Sequence, residues 1–511
     1  MKISRRTFNA ALAGQALMAG LLGRGSSAMA LPAGTLTVAQ GFDPVSLWPN
    51  YSTTQEQINV GSAIVESLFW VDPKTNKTEP VLGESFEFID PKTVKIVLRK
   101  GVKFTNGEDF NADVVVNTFK IFTDVKLTPA YGRYAAPIDR AEKKDDSTVI
   151  LHLKHPYPAM HLILSQIYMV PPKYWAEAGV EGFGKKPIGT GPFVLSEWIR
   201  DNRIVMDANP KYWGKAPEGI KKLVWRPVPD DIARTNGLLA GEYDIATNIP
   251  ISSAAQIKDQ KGLSLVSVPS YRIFTIGLSN LPEHPGPLHD KRVRQAINYA
   301  IDKQAILDSL LQGSGRLLSG QILRKEQIGF DPAINDYPYD PAKAKALLAE
   351  AGFPNGLTIT FKFPTGRYAQ DREIAEAVAG MLAEVGVKTE MVSLEAGEFL
   401  RQLSARELAP MGFVGLAPAD DPDPQWAQYR SDWRYSYVTN PELDKLIDAG
   451  AQEVDPAKRA EIYKKAAKIM HDEASVLFLF QAVDLYGVTD RVKGFLPRGD
   501  QRWVTYGMSL T

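Results

Sequence analysis

The spacing of apolar residues along the chain changes at about residue 290. Before that point, short segments alternate apolar and polar side chains: Val94, Ile96 and Leu98 form one set, and a second lies at 149–153. Side chains two residues apart lie on one face of a strand, so this spacing predicts strands. A first strand is expected over 35–38. The region to about residue 275 is predicted to be a large mixed domain.

After residue 290 the apolar residues recur at helical spacing. Residues three and four apart line one face of a helix. The two clearest sets are Val293, Ala296, Ile297, Ala300 and Ile301, and Ile374, Val378, Met381, Leu382 and Val385. Gly386 follows the second set as a C-terminal cap before a predicted strand at 387–392. Strands alternating with helices between about 275 and 485 indicate an α/β domain.

Two further helices are predicted by capping signals. Asp340-Pro341 and Asp455-Pro456 each place a carboxylate directly before a proline. The carboxylate accepts hydrogen bonds from the first turn, and the fixed backbone angle of proline suits the first helical position.

The first thirty residues read as an export signal. They contain Lys2, Arg5, Arg6 and Arg24, no acidic residue, a weakly apolar middle, and an Ala28–Ala30 cleavage sequence. The apolar middle is too short and too polar for a membrane-spanning helix of about 20 residues. The segment at 4–8 matches the twin-arginine pattern. Residues 1–30 are therefore predicted to be a cleaved twin-arginine signal peptide, and the mature chain to be periplasmic.

Composition excludes several classes of protein. The 511 residues include 59 basic and 59 acidic side chains, and the four basic residues of the signal make the remainder mildly acidic. No basic field for nucleic acid is present, so no nucleic-acid partner is expected. The chain has no cysteine. Disulfides, thiolate metal sites and a lipid-modified N-terminal cysteine are thereby excluded.

The sequence contains none of the common catalytic motifs. The six histidines, at 152, 155, 161, 284, 289 and 471, form no zinc-binding H-E-x-x-H pattern, and neither a nucleophile elbow nor a phosphate-binding loop occurs. The run Asp420–Asp423 packs three carboxylates into four residues without the rest of a calcium loop. It is either a solvated turn or an anionic wall for a cationic group. No metal, cofactor or catalytic residue is predicted.

Five motifs, in order, resemble the periplasmic solute-binding proteins of peptide, nickel and opine ABC importers. The fullest match is Ile188–Phe193, then Trp198, then Asn209–Gly214, which follows the family's GTGPY…W…NPDYW signature. The others are 98–104 with Asn106-Gly107, 293–302 and 351–353. Together they cover nearly the whole mature chain. Physically, Gly-Thr-Gly-Pro is a tight turn and Asn-Pro-x-Tyr-Trp-Gly a turn with aromatic packing, so both specify the fold rather than contact a ligand.

The resemblance implies a two-lobed α/β fold, the type II periplasmic-binding-protein fold. Lobe I would comprise residues 31–273 and 486–511, with an inserted subdomain at about 75–195, and lobe II residues 274–485. The chain would cross between lobes near 270–279 and 480–486. Such a protein, expected to be a monomer and not an enzyme, closes on its solute and is then recognised by an inner-membrane ABC permease.

The resemblance also suggests where a cationic group of the solute would bind. In dipeptide-binding relatives an aspartate in a G-W-x-G-D-x-x-D-P-D segment pairs with the amino terminus. Alignment on Asp421-Pro422-Asp423 places Pro418 at that aspartate and Gly415 at the tryptophan, which departs from the dipeptide pattern. Asp420 or Asp421 would then supply the charge from a shifted position, and Trp426 the aromatic surface.

Other candidates would contact the rest of the solute. Tyr271, Arg272 and Arg367 are candidate contacts near predicted strand ends, and the two guanidinium groups suit a carboxylate or phosphate. Trp48 and Tyr51, after the first strand, are candidates for an aromatic wall of lobe I, with core packing as the competing interpretation. Peptides lead as solutes. An opine, sugar-phosphate or other small polar molecule is the alternative, and nickel is disfavoured because no suitably placed histidine is visible.

Overall fold

The computed structural model of the protein describes residues 32–416 and 419–511. The predicted signal peptide therefore lies outside the described residues. Within them, none of the helices combines the length and the apolar character needed to cross a bilayer.

The strands are short except for two. Their bounds are β1 (Thr35–Gln40), β2 (Phe69–Val71), β3 (Thr78–Pro80), β4 (Gly83–Asp90), β5 (Thr93–Leu98), β6 (Ile138–Asp145), β7 (Thr148–Leu153), β8 (Phe193–Ile199), β9 (Arg203–Ala208), β10 (Lys222–Pro227), β11 (Ile245–Ala246), β12 (Leu263–Leu278), β13 (Arg316–Leu317), β14 (Leu357–Thr365), β15 (Val387–Glu395), β16 (Met411–Leu416), β17 (Val476–Thr489), β18 (Val492–Lys493) and β19 (Ser509–Leu510).

The helices are mostly of two to four turns. Their bounds are α1 (Gln55–Ser62), α2 (Ala112–Thr123), α3 (Gly132–Ala135), α4 (Met160–Leu164), α5 (Pro172–Lys185), α6 (Asp231–Leu239), α7 (Ala254–Asp259), α8 (Lys291–Ala300), α9 (Lys303–Leu311), α10 (Pro341–Glu350), α11 (Asp371–Glu384), α12 (Ala396–Ser404), α13 (Asp423–Trp426), α14 (Pro441–Gln452) and α15 (Pro456–Asp472). Short 3₁₀ turns lie at Pro49–Tyr51, Pro129–Tyr131, Ile251–Ser253, Pro287–His289 and Ala427–Tyr429.

The elements predicted from spacing and capping are confirmed. The predicted strands are β1, β5, β7 and β15, and the two helical stripes are the buried faces of α8 and α11. Asp340 caps α10 by accepting from the Lys343 N–H, and Asp455 caps α15 in the same way. Gly386 has a φ of +90°, as a left-handed cap after α11 requires.

Eleven strands of the described residues form one sheet that runs through both halves of the molecule. The order is β15-β14-β16-β12-β17-β11-β1-β10-β9-β8, with β13 paired to β17. The long strands β12 and β17 pair antiparallel across the middle, and their register breaks between Pro269 and Ile273. On one side of the break β17 pairs with β11, and on the other β12 pairs with β16. We call the half containing β1 lobe I and the half containing β14 lobe II.

Each lobe has its own hydrophobic core, as a two-lobed α/β fold requires. The core of lobe I surrounds β1 and β10 and includes residues of the C-terminal tail. There Trp503 stacks on Trp225 with ring centroids 5.1 Å apart. A separate four-stranded antiparallel sheet, β4-β5-β7-β6, belongs to a further hydrophobic cluster built mainly from residues 68–169. We call residues 68–169 the insert.

The Gly-Thr-Gly-Pro motif allows its backbone to pass very close to the backbone of Ala63 and Ile64. A Cβ at Gly189 would collide with the Ile64 carbonyl, and one at Gly191 would come within 2.7 Å of the Ala63 carbonyl. Only glycine permits this approach of one chain segment to another.

Glu66 connects this motif to the Asn-Pro-x-Tyr-Trp-Gly segment. Its buried carboxylate accepts hydrogen bonds from Thr190 Oγ1 at 2.7 Å and from Tyr212 OH and Trp213 Nε1, both at 2.8 Å. Tyr506 of the C-terminal tail donates a fourth bond. Burial raises the pKa of Glu66, against the lowering effect of these donors. Both motifs thus assemble lobe I around one carboxylate.

Candidate functional site

A cavity of about 530 Å³ lies where the two long strands cross between the lobes. Lobe I contributes Asn248 and Gln501, and lobe II contributes Leu311 and Tyr368. Asn248 and Gln501 both have left-handed backbone conformations, with φ of +53° and +64°. Conformations of this kind are held in place only by surrounding structure, and they concentrate at functional sites.

A second cavity of about 580 Å³ continues from the first toward the insert. Its walls are Tyr134 and Tyr157 of the insert and Trp433 of lobe II, among others. Arg272 and Arg367 line both cavities. We call the two cavities together the cleft, because these shared residues join them.

Strand β12 carries Arg272 into the cleft. Its Nη1 donates to the Gly415 carbonyl at 3.0 Å, and its Cζ lies 5.6 Å from the centre of the Tyr368 ring. These contacts orient the guanidinium, which forms no ion pair with any described residue, although its charge acts on buried Asp484 and opposes the rise in the pKa of that carboxyl.

Arg367 lies in the loop between β14 and α11, whose backbone is held by Asp371. The buried Asp371 carboxylate accepts from the N–H groups of Gly366, Arg367 and Tyr368 at 3.1, 2.8 and 3.0 Å. The Arg367 side chain is exposed and donates to Tyr368 OH at 3.2 Å. Like Arg272, it forms no ion pair with the described residues. Two guanidinium groups that form no ion pair with the described residues therefore share one stretch of the cleft.

The anionic side of the cleft consists of Asp484, which the sequence did not single out, and Asp423, the last residue of the acidic run. Asp484 of β17 accepts from Gln501 Nε2 at 2.7 Å through one carboxylate oxygen, and its other oxygen is buried with no hydrogen-bond partner. Burial raises the pKa of Asp484 to about 6. Asp423 lines the other cavity, where burial and then the charge of Asp421 raise its pKa to about 7. Asp484 could have been recognised in the sequence as the single charged side chain of the segment that forms β17.

Two of the predicted aromatic contacts are core residues. Trp48 is 2% exposed, with its ring 4.7 Å from that of Trp175, so the competing core-packing interpretation describes its position. Trp426 is fully buried against Tyr463, with ring planes 12° apart. Neither ring lines the cleft, because each fills a lobe interior. Tyr51 is 44% exposed on lobe I and is likewise absent from the described residues that line the cleft.

Tyr271 is adjacent to Arg272 but lines a different cavity, of about 390 Å³. The guanidinium carbon of Arg324 lies 4.3 Å from the centre of its ring. Burial raises the pKa of the Tyr271 hydroxyl.

The predicted acidic residues also lie away from the cleft. Asp421 forms two hydrogen bonds of 2.7 Å with buried Arg459, so its charge is already compensated. Asp420 is buried beside His161 and lines the same cavity as Tyr271. Pro418, which aligns with the family's aspartate, lies outside the described residues. Of the eight predicted contacts, the structure brings Arg272 and Arg367 together at the cleft.

Comparison with known proteins agrees with this architecture. Residues 77–436 match the model of the bacterial extracellular solute-binding proteins, family 5. The glutathione-binding protein GsiB of Salmonella choleraesuis is 28% identical over 473 residues, which is 89% of this chain and 90% of that protein.

Solved structures match over a similar length. The structure of HbpA2 from Haemophilus parasuis is 27% identical, with a TM-score of 0.85, and the match covers 93% of this chain and all of that one. DppA from Helicobacter pylori, solved with the peptide STSA, is 24% identical with a TM-score of 0.73 over 93% of this chain and 98% of that one. The chain belongs to the family 5 extracellular solute-binding proteins.

Proposed function

We propose that the protein captures peptides, or a related small polar solute carrying both charges, in the cleft and delivers it to an ABC permease in the inner membrane. The observation that carries this proposal is that Arg272 and Arg367, which form no ion pair with the described residues, line the same cleft as the buried carboxylates of Asp484 and Asp423. Guanidinium groups suit a solute carboxylate, and the carboxylates suit an ammonium group. The relatives named for glutathione and a bound peptide support the same class of solute.

Capture would proceed by a population shift. A solute that contacts both lobes stabilises the closed arrangement over the open one by its differential affinity. We place the lobe boundaries at 31–273 with 486–511, and at 274–485, with the chain crossing within β12 and β17. No bond of the solute is broken in this scheme, and the protein acts as a monomeric receptor rather than an enzyme.

Mass spectrometry of the protein purified under native conditions is the direct test. We expect a retained peptide or other zwitterion, whose binding is then measured by calorimetry against pools of di- to tetrapeptides, opines and sugar phosphates. Failure of every peptide to bind, together with binding of an opine or sugar phosphate, would replace the peptide assignment with the alternative solute class.

Export is a separate part of the proposal. Residues 1–30 would act as a twin-arginine signal and be removed, which places the mature chain in the periplasm. Replacing Arg5 and Arg6 by lysine should abolish export, and the mature protein should begin at Leu31. A periplasmic Arg5→Lys/Arg6→Lys variant would exclude the twin-arginine route.

A further inference from the structure

A loop of lobe II is seated in the insert of lobe I, away from the cleft arginines. Ala419 is 7% exposed and packs within the hydrophobic cluster that is otherwise built from residues 68–169 of the insert. Asp420 follows it and is 4% exposed. We call Ala419 and Asp420 the tongue. Lobe II therefore places an apolar side chain and a buried carboxylate, next to each other, inside lobe I.

The partner of the tongue in lobe I is His161, in helix α4 of the insert. Its Nε2 lies 3.6 Å from one Asp420 carboxylate oxygen, which is an ion-pair distance rather than a hydrogen bond. Neither carboxylate oxygen has a hydrogen-bond partner among the described residues. The charge of Asp420 thus depends on neighbouring cations rather than on hydrogen bonds.

Lobe II itself holds the tongue backbone in place. Arg324 donates from Nη2 to the Ala419 carbonyl at 2.6 Å. Gln327 donates to the Asp420 carbonyl at 3.2 Å. Because the backbone is fixed on the lobe II side, the contact between His161 and Asp420 joins the two lobes.

The other charged and titratable groups near the pair include two matched ion pairs, and Arg324, which has no carboxylate partner among the described residues. They are Asp421, Asp423, Arg459, Arg324, Glu326, Tyr271, Lys74, Arg498 and Asp500. Arg459 pairs with Asp421 at 2.7 Å, and Arg498 with Asp500 at 2.9 Å. Burial lowers the pKa of Arg324 only to about 10, so it stays charged at neutral pH.

We propose that His161 and Asp420 form a pH-sensitive latch that fastens the tongue of lobe II into lobe I when His161 carries its proton. Loss of that proton removes the one ion-pair partner that Asp420 has among the described residues. Its buried carboxylate then keeps only the more distant charges of Arg324 and Arg498, which favours withdrawal of the tongue into water. The latch depends on the two-lobed fold and not on which solute is bound. It adds a second control on lobe closure, separate from occupancy of the cleft.

The direction of the pH dependence follows from the two partners. Burial alone would lower the pKa of His161, but the nearby Asp420 outweighs it and raises the pKa above the ordinary value of about 6.5. Burial likewise opposes ionisation of Asp420, yet His161 holds the pKa of that carboxyl well below its usual range. The latch is therefore complete below pH about 6.5 and is lost as the pH rises through the raised pKa of His161.

The test measures the distance between the lobes against pH. The chain has no cysteine, so the exposed residues Glu84 of lobe I and Glu384 of lobe II can be replaced by cysteine and spin-labelled without side reactions. Pulsed electron paramagnetic resonance on the dialysed full mature chain should show the interlobe distance lengthening or broadening from pH 5.5 to 8.5. His161→Gln should remove this change, and His155→Gln, which alters an exposed histidine of the same insert, should retain it.

Two further variants keep the test decisive. Asp420→Asn should also abolish the pH response, and its effect should not add to that of His161→Gln. Asp423 titrates in the same range but lines the cleft, so Asp423→Asn should retain the response. A wild-type distance that is constant with pH, or a response that survives in either His161→Gln or Asp420→Asn, would overturn the proposal.

Discussion

At the residue scale, the proposed binding site rests on arginines that form no ion pair with the described residues. Arg272 and Arg367 have hydrogen bonds to oxygen atoms of neutral groups, Gly415 O and Tyr368 OH, rather than to carboxylates. Elsewhere in the chain, buried Arg459 and Arg498 are paired with carboxylates. A free guanidinium in a cleft costs little when solvated and gains most when a carboxylate displaces its water.

Arg367→Ala is expected to weaken solute binding by about tenfold or more, because a charge-assisted hydrogen bond contributes at least 1.4 kcal/mol. The side chain is exposed, so the melting temperature should change little. Calorimetry with the retained solute measures the effect. Arg372→Ala, which removes an exposed arginine paired with Glu376 at 2.8 Å, is the matched control. Equal affinities of wild type and Arg367→Ala would remove Arg367 from the site.

Asp423 should leave a signature in the pH dependence of stability. Its folded pKa of about 7 exceeds the unfolded value of about 3.9, so its contribution is fully present below pH 3.9 and is lost as the pH rises through 7. The free energy of unfolding should therefore fall less between pH 4 and 7 in Asp423→Asn than in wild type. Urea titrations of solute-free protein give the comparison, with exposed Asp259→Asn as the control. Parallel profiles for Asp423→Asn and wild type would contradict the raised pKa.

Sequence reasoning at this scale placed two of four charged candidates at the cleft and none of the aromatic ones. Arg272 and Arg367 line the cleft, although Arg272 lies inside β12 rather than at the strand end that the sequence indicated. Trp48 and Trp426 lie in the lobe interiors, because an indole ring packs equally well in a core. Asp484 was missed because its significance depends on the crossing of two strands, which no local pattern contains.

At the element scale, the loop from β14 to α11 is positioned by the first residue of the helix. Asp371 accepts four backbone N–H groups, those of residues 366, 367, 368 and 372. The preceding Gln370 takes a left-handed conformation, with φ of +56°, which turns the loop into the helix. The backbone that carries Arg367 is therefore held in place by a carboxylate that does not itself line the cleft.

Asp371→Ala should weaken solute binding several-fold and lower stability by about 2 kcal/mol, because buried N–H groups lose their acceptor. A smaller loss is expected for Asp371→Asn, whose carbonyl oxygen can still accept. Binding and urea denaturation are compared with those of Glu373→Ala, an exposed acidic residue two positions along the same helix. Unaltered affinity in Asp371→Ala would show that the loop keeps its shape without this anchor.

The presence and type of individual elements were the most predictable features of the fold. Period and capping located β5, β7, α8, α10, α11 and α15, because those signals lie within a few residues of each other. The sixteen residues of β12 were not foreseen as one strand. Its partners are β16 on one side and β17 on the other, more than 130 residues away along the chain.

At the scale of the whole molecule, the lobes meet through two strands, a cleft and the tongue. The register break between Pro269 and Ile273 lies between the two halves of the sheet, where bending disturbs the fewest hydrogen bonds. Closure of such a molecule needs little change inside either lobe.

Saturation with the retained solute should reduce the radius of gyration measured by small-angle X-ray scattering. At a hundredfold excess over Kd the solute should also stabilise the fold by about 2.7 kcal/mol. The double variant Arg272→Ala/Arg367→Ala should show neither change at the same solute concentration. Thermal stabilisation without compaction would indicate binding to one lobe only.

The return of the C-terminal tail to lobe I also sets an order for folding. Lobe II is built from one continuous stretch of chain, whereas the core of lobe I includes Trp503, which packs on Trp225 nearly 280 residues earlier. Gln166 of the insert likewise accepts from Arg502 at 3.0 Å. Lobe I therefore cannot complete its interior until Arg502 and Trp503 have been synthesised. Before that point a nascent chain would carry a finished second lobe beside an unfinished first one, and a chain truncated after Gln501 would keep that half-built state.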